Sequence, residues 1–273
     1  MSTLDVAVVQ FNPTDNWAEN LVTVERYATE AAGAGAQFVV FPEYSSVFTK
    51  RLGQHTVDTA QPVDGPFVTG LQAIAAALGI HLVAGIVEAL DPEDEPNRCA
   101  NTLIAIDPTG KLVATYRKLH LYDAFGQRES DWVAPGAIED APVFDVGGCT
   151  VGLQTCYDIR FPEVSRWLVD AGATLLVVPA EWVAGDLKTT HWQTLLAARA
   201  IENTVFVAAA DHAPPVAVGH SAIIDPRGVT LASLADEEGI ASATLETQTL
   251  EEVRTVNPAL SLRRFEVAPR GKA

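Results

Sequence analysis

"AGAQFVVFPEY" (Ala34–Tyr44) and "AGATLLVVPAEW" (Ala171–Trp182) are nearly one phrase written twice. Each leads from an Ala-Gly pair through an unbroken apolar run to a proline, and then to a glutamate. A short apolar run punctuated in this way reads as a strand covered on both faces, as at the centre of a parallel sheet. The echo continues downstream. "NTLIAIDPTGKLVATYRK" from Asn101 and "HSAIIDPRGVTLASL" from His220 each read as strand, Pro/Gly turn, strand, which places an antiparallel pair at one side of each sheet.

Between these landmarks, strand-like "VAVVQF", "HLVAGIVE" and "TVFVAAADH" alternate with helical "NLVTVERYATEAA", "FVTGLQAIAAAL" and "HWQTLLAARAIEN". The alternation predicts an α/β fold of two related halves, each a mixed sheet with helices on one face. Pressing the bare faces together gives a four-layer αββα sandwich with pseudo-twofold related halves. No Ser/Gly linker divides the chain, so residues 1–273 are expected to form a single domain. "DPEDEPN" (Asp91–Asn97) is a solvated loop. The end of the chain, about 255–273 with its basic "RRFEVAPRGKA", is expected to lie outside the core as a C-terminal extension.

Composition narrows the function classes. The 273 residues are 48% hydrophobic, enough for a large core, and carry a formal charge of -17. Such a charge repels phosphate backbones and anionic lipid, so neither nucleic acid nor membrane is an expected partner. No window approaches the roughly 20 apolar residues of a membrane span, and "MSTLDVAVVQF" lacks a basic leader. Three cysteines cannot all pair, and none belongs to a cluster with zinc-like spacing. A reducing cytoplasm is therefore expected, with no metal and no cofactor.

Cys156 stands at the end of the apolar stretch "CTVGLQT", ahead of the helical "FPEVSRWLVDAG". A thiol in a strand-to-helix turn is exposed to reactants, and helix-start N–H groups can lower its pKa from about 8.5. Cys99 and Cys149 read as small buried hydrophobes. A nucleophilic thiol needs a base and a cation. Glu43 ends the first apolar strand at a proline, and Lys118 ends the first hairpin between apolar neighbours, where a bare ammonium is costly unless paired.

Taken in order, "FPEYS", "YRKLHLYD" and "GLQTCYDIRFPE" resemble the three signature segments of the nitrilase superfamily of carbon-nitrogen hydrolases. "ESDWVAPG" and "VGHSAIIDPRG" resemble further segments of that family, so the likeness spans nearly the whole chain. It implies the αββα fold already reached and a Glu-Lys-Cys site at Glu43, Lys118 and Cys156, with Glu129 as a second carboxylate. Glu43 would be the base and Cys156 the nucleophile. Lys118 and the backbone N–H of Tyr157 would hold the oxyanion, and Glu129 would orient Lys118 and the substrate nitrogen. The family commonly forms dimers. The helix His191–Asn203 and the C-terminal tail are candidate contacts, and His191, Arg199 and Glu202 read as scaffold or subunit contacts.

Tyr157 and Asp158 follow the cysteine where nitrilases usually have Trp-Glu and carbamoyl amidases Trp-Asp. "CYDIRFPE" is similar to the amidase branch that includes omega-amidase and deaminated-glutathione amidase. The implied reaction converts a small primary amide to an acid and ammonia through a thioester, with carbamoylase or nitrilase activity as alternatives. Glu181 and Trp182 replace the small and amide residues associated with omega-amidase. Charge on Glu181 would disfavour a substrate carboxylate, whereas Lys188 and Arg128 would reverse that preference. Tyr44, Tyr122 and Phe125 are further wall candidates. Asp158 is expected to accept backbone N–H groups, and Arg160 to pair with Glu163. His120 is expected either to support one of the carboxylates or to satisfy a loop carbonyl.

Three rivals stand beside this reading. Isochorismatase-like hydrolases use one doubly wound sheet and show no such echo. Glutamine-amidotransferase thiol enzymes need a glycine-flanked elbow, which "QTCYD" lacks. A non-catalytic interaction module would not need all four groups.

Overall fold

The computed structural model describes residues 2–269. Its first half runs β1 (Thr3–Gln10), α1 (Trp17–Gly33), β2 (Phe38–Val40), the short α2 (Gln54–Asp58), α3 (Pro66–Leu78), β3 (His81–Ala89), β4 (Cys99–Ile106) and β5 (Leu112–Arg117). The second runs β6 (Val143–Val146), β7 (Cys149–Leu153), α4 (Pro162–Asp170), β8 (Leu175–Pro179), α5 (Lys188–Asn203), β9 (Phe206–Ala210), β10 (Ala222–Ile224), β11 (Thr230–Ser233), β12 (Gly239–Glu246) and α6 (Thr247–Val256). Local chemistry sets the helix ends. The Asn16 side chain accepts from Ala18 N ahead of α1, while α3 begins on Pro66 and stops at Gly79, whose φ is +66°.

Two six-stranded sheets result, in the orders β12-β1-β2-β3-β4-β5 and β11-β10-β9-β8-β7-β6. In each, the central strands are parallel and the flanking ones antiparallel. The duplication extends to single bonds. Asp107 Oδ1 accepts from Thr109 N at 2.8 Å and Lys111 N at 3.0 Å, and Asp225 Oδ1 accepts from Arg227 N and Val229 N at the same two distances. Gly110 and Gly228 close these turns at φ +83° and +81°, each after a register shift in its hairpin.

One strand departs from the expectation that each half builds its own sheet. β12 comes from the second half yet pairs with β1, from Thr3 opposite Glu246 to Gln10 opposite Gly239. β6 occupies the matching place beside β7, so the edge strand that β1 lacks on its own side is supplied from far along the chain.

Val6, Val8, Val40 and Leu103 meet Val151, Leu175, Val177 and Phe206 between the sheets. The outer faces pack Val24, Ala28, Leu71 and Ala75 under α1 and α3, and Leu168, Trp192, Leu196 and Ala200 under α4 and α5. β2 and β8 are covered on both faces, which is why their sequences show no polar alternation. Burying each large aliphatic side chain contributes about 1.5–3 kcal/mol, and this holds the four layers together. Among the described residues, no helix is long and apolar enough to cross a membrane. At the C-terminal end Arg263 pairs with Asp170 and residues 264–269 are exposed; residues 270–273 of the expected extension lie outside the described part.

Candidate active site

At the carboxyl ends of β2 and β8 the backbone leaves both ladders, and the twin Pro-containing turns meet. Glu181 N donates to Glu43 Oε2 at 2.7 Å, joining the two copies of the opening phrase. Gly85 of β3 passes so close behind Glu43 that a Cβ there would lie 2.7 Å from both Glu43 Cα and Tyr44 N. His212, at the end of β9, reaches the Glu43 carbonyl through Nε2 at 2.7 Å. Burial pushes His212 down to about 4, so near neutrality its ring is uncharged and Nε2–H donates.

Lys118 follows β5 and is 2% exposed, beside Glu43 at 1% and Glu129 at 4%. Its backbone N donates to Asn101 O at 2.9 Å, and Gly136 N donates to its carbonyl at 2.8 Å. Nζ lies 2.9 Å from Glu43 Oε1 and 3.0 Å from Glu129 Oε2. Asn101 Nδ2 bridges the same carboxylates, at 2.6 Å from Glu43 Oε1 and 3.2 Å from Glu129 Oε1. Glu129 also accepts from Tyr44 OH at 2.7 Å and Tyr122 N at 2.6 Å.

Burial opposes a charge on Lys118, but Glu129 and Glu43 outweigh it and hold the ammonium well above its usual range. Burial likewise opposes charge on Glu129, and Lys118 with the Tyr122 and Tyr44 donors prevails, keeping its pKa below the ordinary carboxylate value. The cluster therefore combines a fixed cation with carboxylate oxygens in a space nearly closed to water.

Cys156 opens a 3₁₀ turn (Cys156–Arg160) between β7 and α4 rather than the first turn of the helix itself. Its φ is +43°, a conformation costing a non-glycine residue about 1–3 kcal/mol and persisting only where neighbours enforce it. Thr155 Oγ1 anchors one side by donating to Pro179 O at 2.7 Å. The fully buried Asp158 anchors the other: Oδ2 accepts from Tyr116 OH at 2.6 Å and Thr155 N at 3.2 Å, and Oδ1 from His120 N at 3.1 Å. The first bond of the 3₁₀ turn runs from Asp158 N to Thr155 O, leaving Tyr157 N ahead of it outside that ladder.

The expected lowering of the thiol pKa is reversed. Burial, followed by Glu43, pushes Cys156 well up, and Lys118 only partly offsets them. A thiol with its pKa raised in this way must lose its proton as it attacks; its Sγ donates to Glu181 O at 3.5 Å, and Glu43 is the carboxylate whose charge acts on it most strongly.

A cavity of about 830 Å³ opens over Cys156 and is lined by Glu43, Tyr44, Lys118, Tyr122, Glu129, Tyr157, Arg160, Glu181, Trp182 and Lys188. Tyr44 turns its hydroxyl to Glu129, and Trp182 is held by Asp211 through its N at 2.8 Å and by Lys188 O through Nε1 at 2.9 Å. Phe125, largely exposed, lies under Lys188 Nζ at 3.8 Å from its ring centroid. Arg128 is also exposed and pairs with Asp131.

Three sequence expectations change here. Arg160 does not pair with Glu163; its guanidinium lies 4.8 Å from the Trp182 ring centroid on the cavity wall, because the 3₁₀ turn points it away from α4. Among the described residues His120 bonds to neither catalytic carboxylate and to no carbonyl: Nδ1 lies 2.8 Å from Asp158 and its ring stacks on Phe161. At Glu181 the surroundings oppose the expected negative charge, since burial and then Glu43 raise its pKa well above the usual value. Lys188 Nζ bonds to Tyr122 OH at 2.6 Å and sits near Arg160, so the wall is positive. For Asn101 and His212 the sequence offers only a lone amide in "CANTLIAI" and a polar pair ending "FVAAADH".

The geometry accords with comparisons to known proteins. The carbon-nitrogen hydrolase family model matches residues 5–255. The deaminated glutathione amidase of Escherichia coli O157:H7 is 38% identical over 95% of this chain and 97% of its own. An omega-amidase of Danio rerio is 34% identical over 98% and 97% of the two chains. A Saccharomyces cerevisiae member of branch 10 of the nitrilase superfamily superposes with a TM-score of 0.84 at 28% identity, covering 97% of each chain. With its paired mixed sheets and a buried cluster at their junction, the chain belongs to the carbon-nitrogen hydrolase family, in the amidase branch of the nitrilase superfamily.

Proposed function

We propose that this amidase hydrolyses small primary amides whose acyl chain ends in an anionic group. The observation that carries the reading is the buried Glu43–Lys118–Glu129 cluster beside Cys156, in a cavity whose wall bears Arg160 and Lys188. Among the described residues neither of those two cations has a carboxylate within ion-pair distance. A substrate carboxylate supplies the missing partner.

In this mechanism Glu43 takes the thiol proton as the Cys156 sulfur bonds to the amide carbon. The oxygen becomes an oxyanion, stabilised by the Lys118 ammonium and Tyr157 N–H. As the C–N bond breaks, Glu43 returns the proton to nitrogen, and ammonia leaves behind a Cys156 thioester. Water then attacks the thioester while Glu43 takes its proton; the C–S bond breaks, the sulfur regains a proton and the acid departs. Glu129 and Asn101 hold Lys118 and Glu43 in place throughout. A homodimer is part of the proposal, supported by exposed Ile201 on α5 and by Leu262 and Phe265 in the tail; light scattering tests it.

Ammonia release from a panel of ω-amides with and without a terminal carboxylate, together with nitriles and N-carbamoyl compounds, tests the function. Carboxylate-bearing amides are expected to lead, and Arg160→Gln to raise their KM about tenfold or more. Faster turnover of nitriles or N-carbamoyl compounds, or equal turnover of uncharged amides, contradicts the proposal.

A further inference from the structure

Glu181 is placed by the duplication as the second-half counterpart of Glu43, one residue further beyond its proline. Its backbone serves the catalytic groups directly: N donates to Glu43, and the carbonyl accepts from the Cys156 thiol at 3.5 Å. Its side chain lines the same cavity, and among the described residues the carboxyl has no hydrogen-bond partner. A carboxyl that borders the reacting sulfur and is left unpartnered is available to a ligand.

We propose that Glu181 is a specificity-determining residue whose carboxyl group hydrogen-bonds an oxygen on the substrate's acyl chain. This rests on the amide-hydrolase reading of the same cavity. The surrounding charges support the uncharged form. Glu43 from the β2 turn, Glu129 from its own short turn and Asp211 at the end of β9 face it as carboxyl groups, with Cys156 and Tyr122 also nearby. Lys118 is already shared between two carboxylates, and Lys188 bonds to Tyr122. Burial and Glu43 raise the Glu181 pKa more than the two lysines lower it. A neutral donor can sit beside the anion-binding Arg160 and Lys188 without repelling the group they attract. It adds preference for an acyl chain that offers an oxygen acceptor at this depth.

Two variants separate this role from simple space-filling. Glu181→Gln keeps a neutral donor of the same size, and Glu181→Ala removes it. With glutaramate and its hydroxy- and oxo-substituted analogues, Glu181→Ala is expected to lose about tenfold in kcat/KM on the substituted amides and less on glutaramate. Glu181→Gln should recover most of that loss. Ionisation of Glu181 at high pH should produce a fall in kcat/KM that Glu181→Gln lacks. Equal kinetics for all three proteins, or the same alkaline fall in wild type and Glu181→Gln, overturns the proposal. If wild type hydrolyses no amide, the function proposal fails. Calorimetric binding of 2-oxoglutarate and glutarate then decides the role of Glu181: weaker 2-oxoglutarate binding by Glu181→Ala alone supports it, and equal affinities refute it.

Discussion

Replacing Asp158 by Asn would test whether the nucleophile turn is held from the lysine side. Each carboxylate oxygen accepts one backbone N–H, Thr155 N at Oδ2 and His120 N at Oδ1, plus one side-chain donor. An amide in either orientation turns its NH₂ toward one of those backbone donors, so one backbone bond is lost whichever way it flips, while the Tyr116 hydroxyl or His120 Nδ1 on that side can turn acceptor. A hydrogen bond to a charged group contributes about 1.5–3 kcal/mol, which sets the least loss expected. At roughly 2–4 °C per kcal/mol for a chain near this size, the thermal midpoint should fall by at least about 3 °C. Catalysis should suffer separately. Thr155 precedes the strained Cys156, and a displacement of the thiol by about 1 Å costs roughly 10²-fold in kcat. Differential scanning calorimetry and ammonia-release kinetics on Asp158→Asn read the two effects. A midpoint within about 2 °C of wild type with kcat intact would refute the reasoning.

Lys118→Met should reduce kcat by about 10²–10³-fold by removing the oxyanion's cation, and should slow Cys156 alkylation at a given pH, because Lys118 partly offsets the burial and Glu43 that push the thiol up. Alkylation that shifts to lower pH contradicts this. His212 has its folded pKa depressed to about 4 against an ordinary value of about 6.5. The unfolded chain therefore binds that proton first, and stability declines as pH falls from about 6.5 to 4; His212→Phe should flatten this slope in pH-dependent urea titrations, and an unchanged slope refutes the assignment. Gly85→Ala places a Cβ 2.7 Å from the Glu43 backbone, which should cost about 1–3 kcal/mol and lower kcat together; a variant with native stability and rate removes the packing argument.

The fold was legible wherever neighbouring elements announce themselves. Uninterrupted apolar runs ending at Pro42 and Pro179 marked the central strands, and the two Asp-Pro-x-Gly turns marked the hairpins. β12 was not legible as part of the first sheet, since its pairing with β1 joins residues more than two hundred positions apart and leaves no local pattern. In the site, Glu43, Lys118, Glu129 and Cys156 sit near element ends, where punctuation exposes them, and the structure brings all four to one cavity. Asn101 and His212 end or interrupt buried strands, and their targets, a distant carboxylate pair and the Glu43 carbonyl, are set by tertiary packing alone. The differences at Glu181 and His120 share that cause. No local pattern shows that packing sets Glu181 beside Glu43 or brings His120 to Asp158.

Mass spectrometry of the protein quenched during turnover of a slow amide tests the proposed chemistry most directly. The account predicts an acyl adduct on Cys156 that forms and decays as ammonia appears, with neither adduct nor ammonia from Cys156→Ala. Ammonia released at the wild-type rate by Cys156→Ala would contradict it.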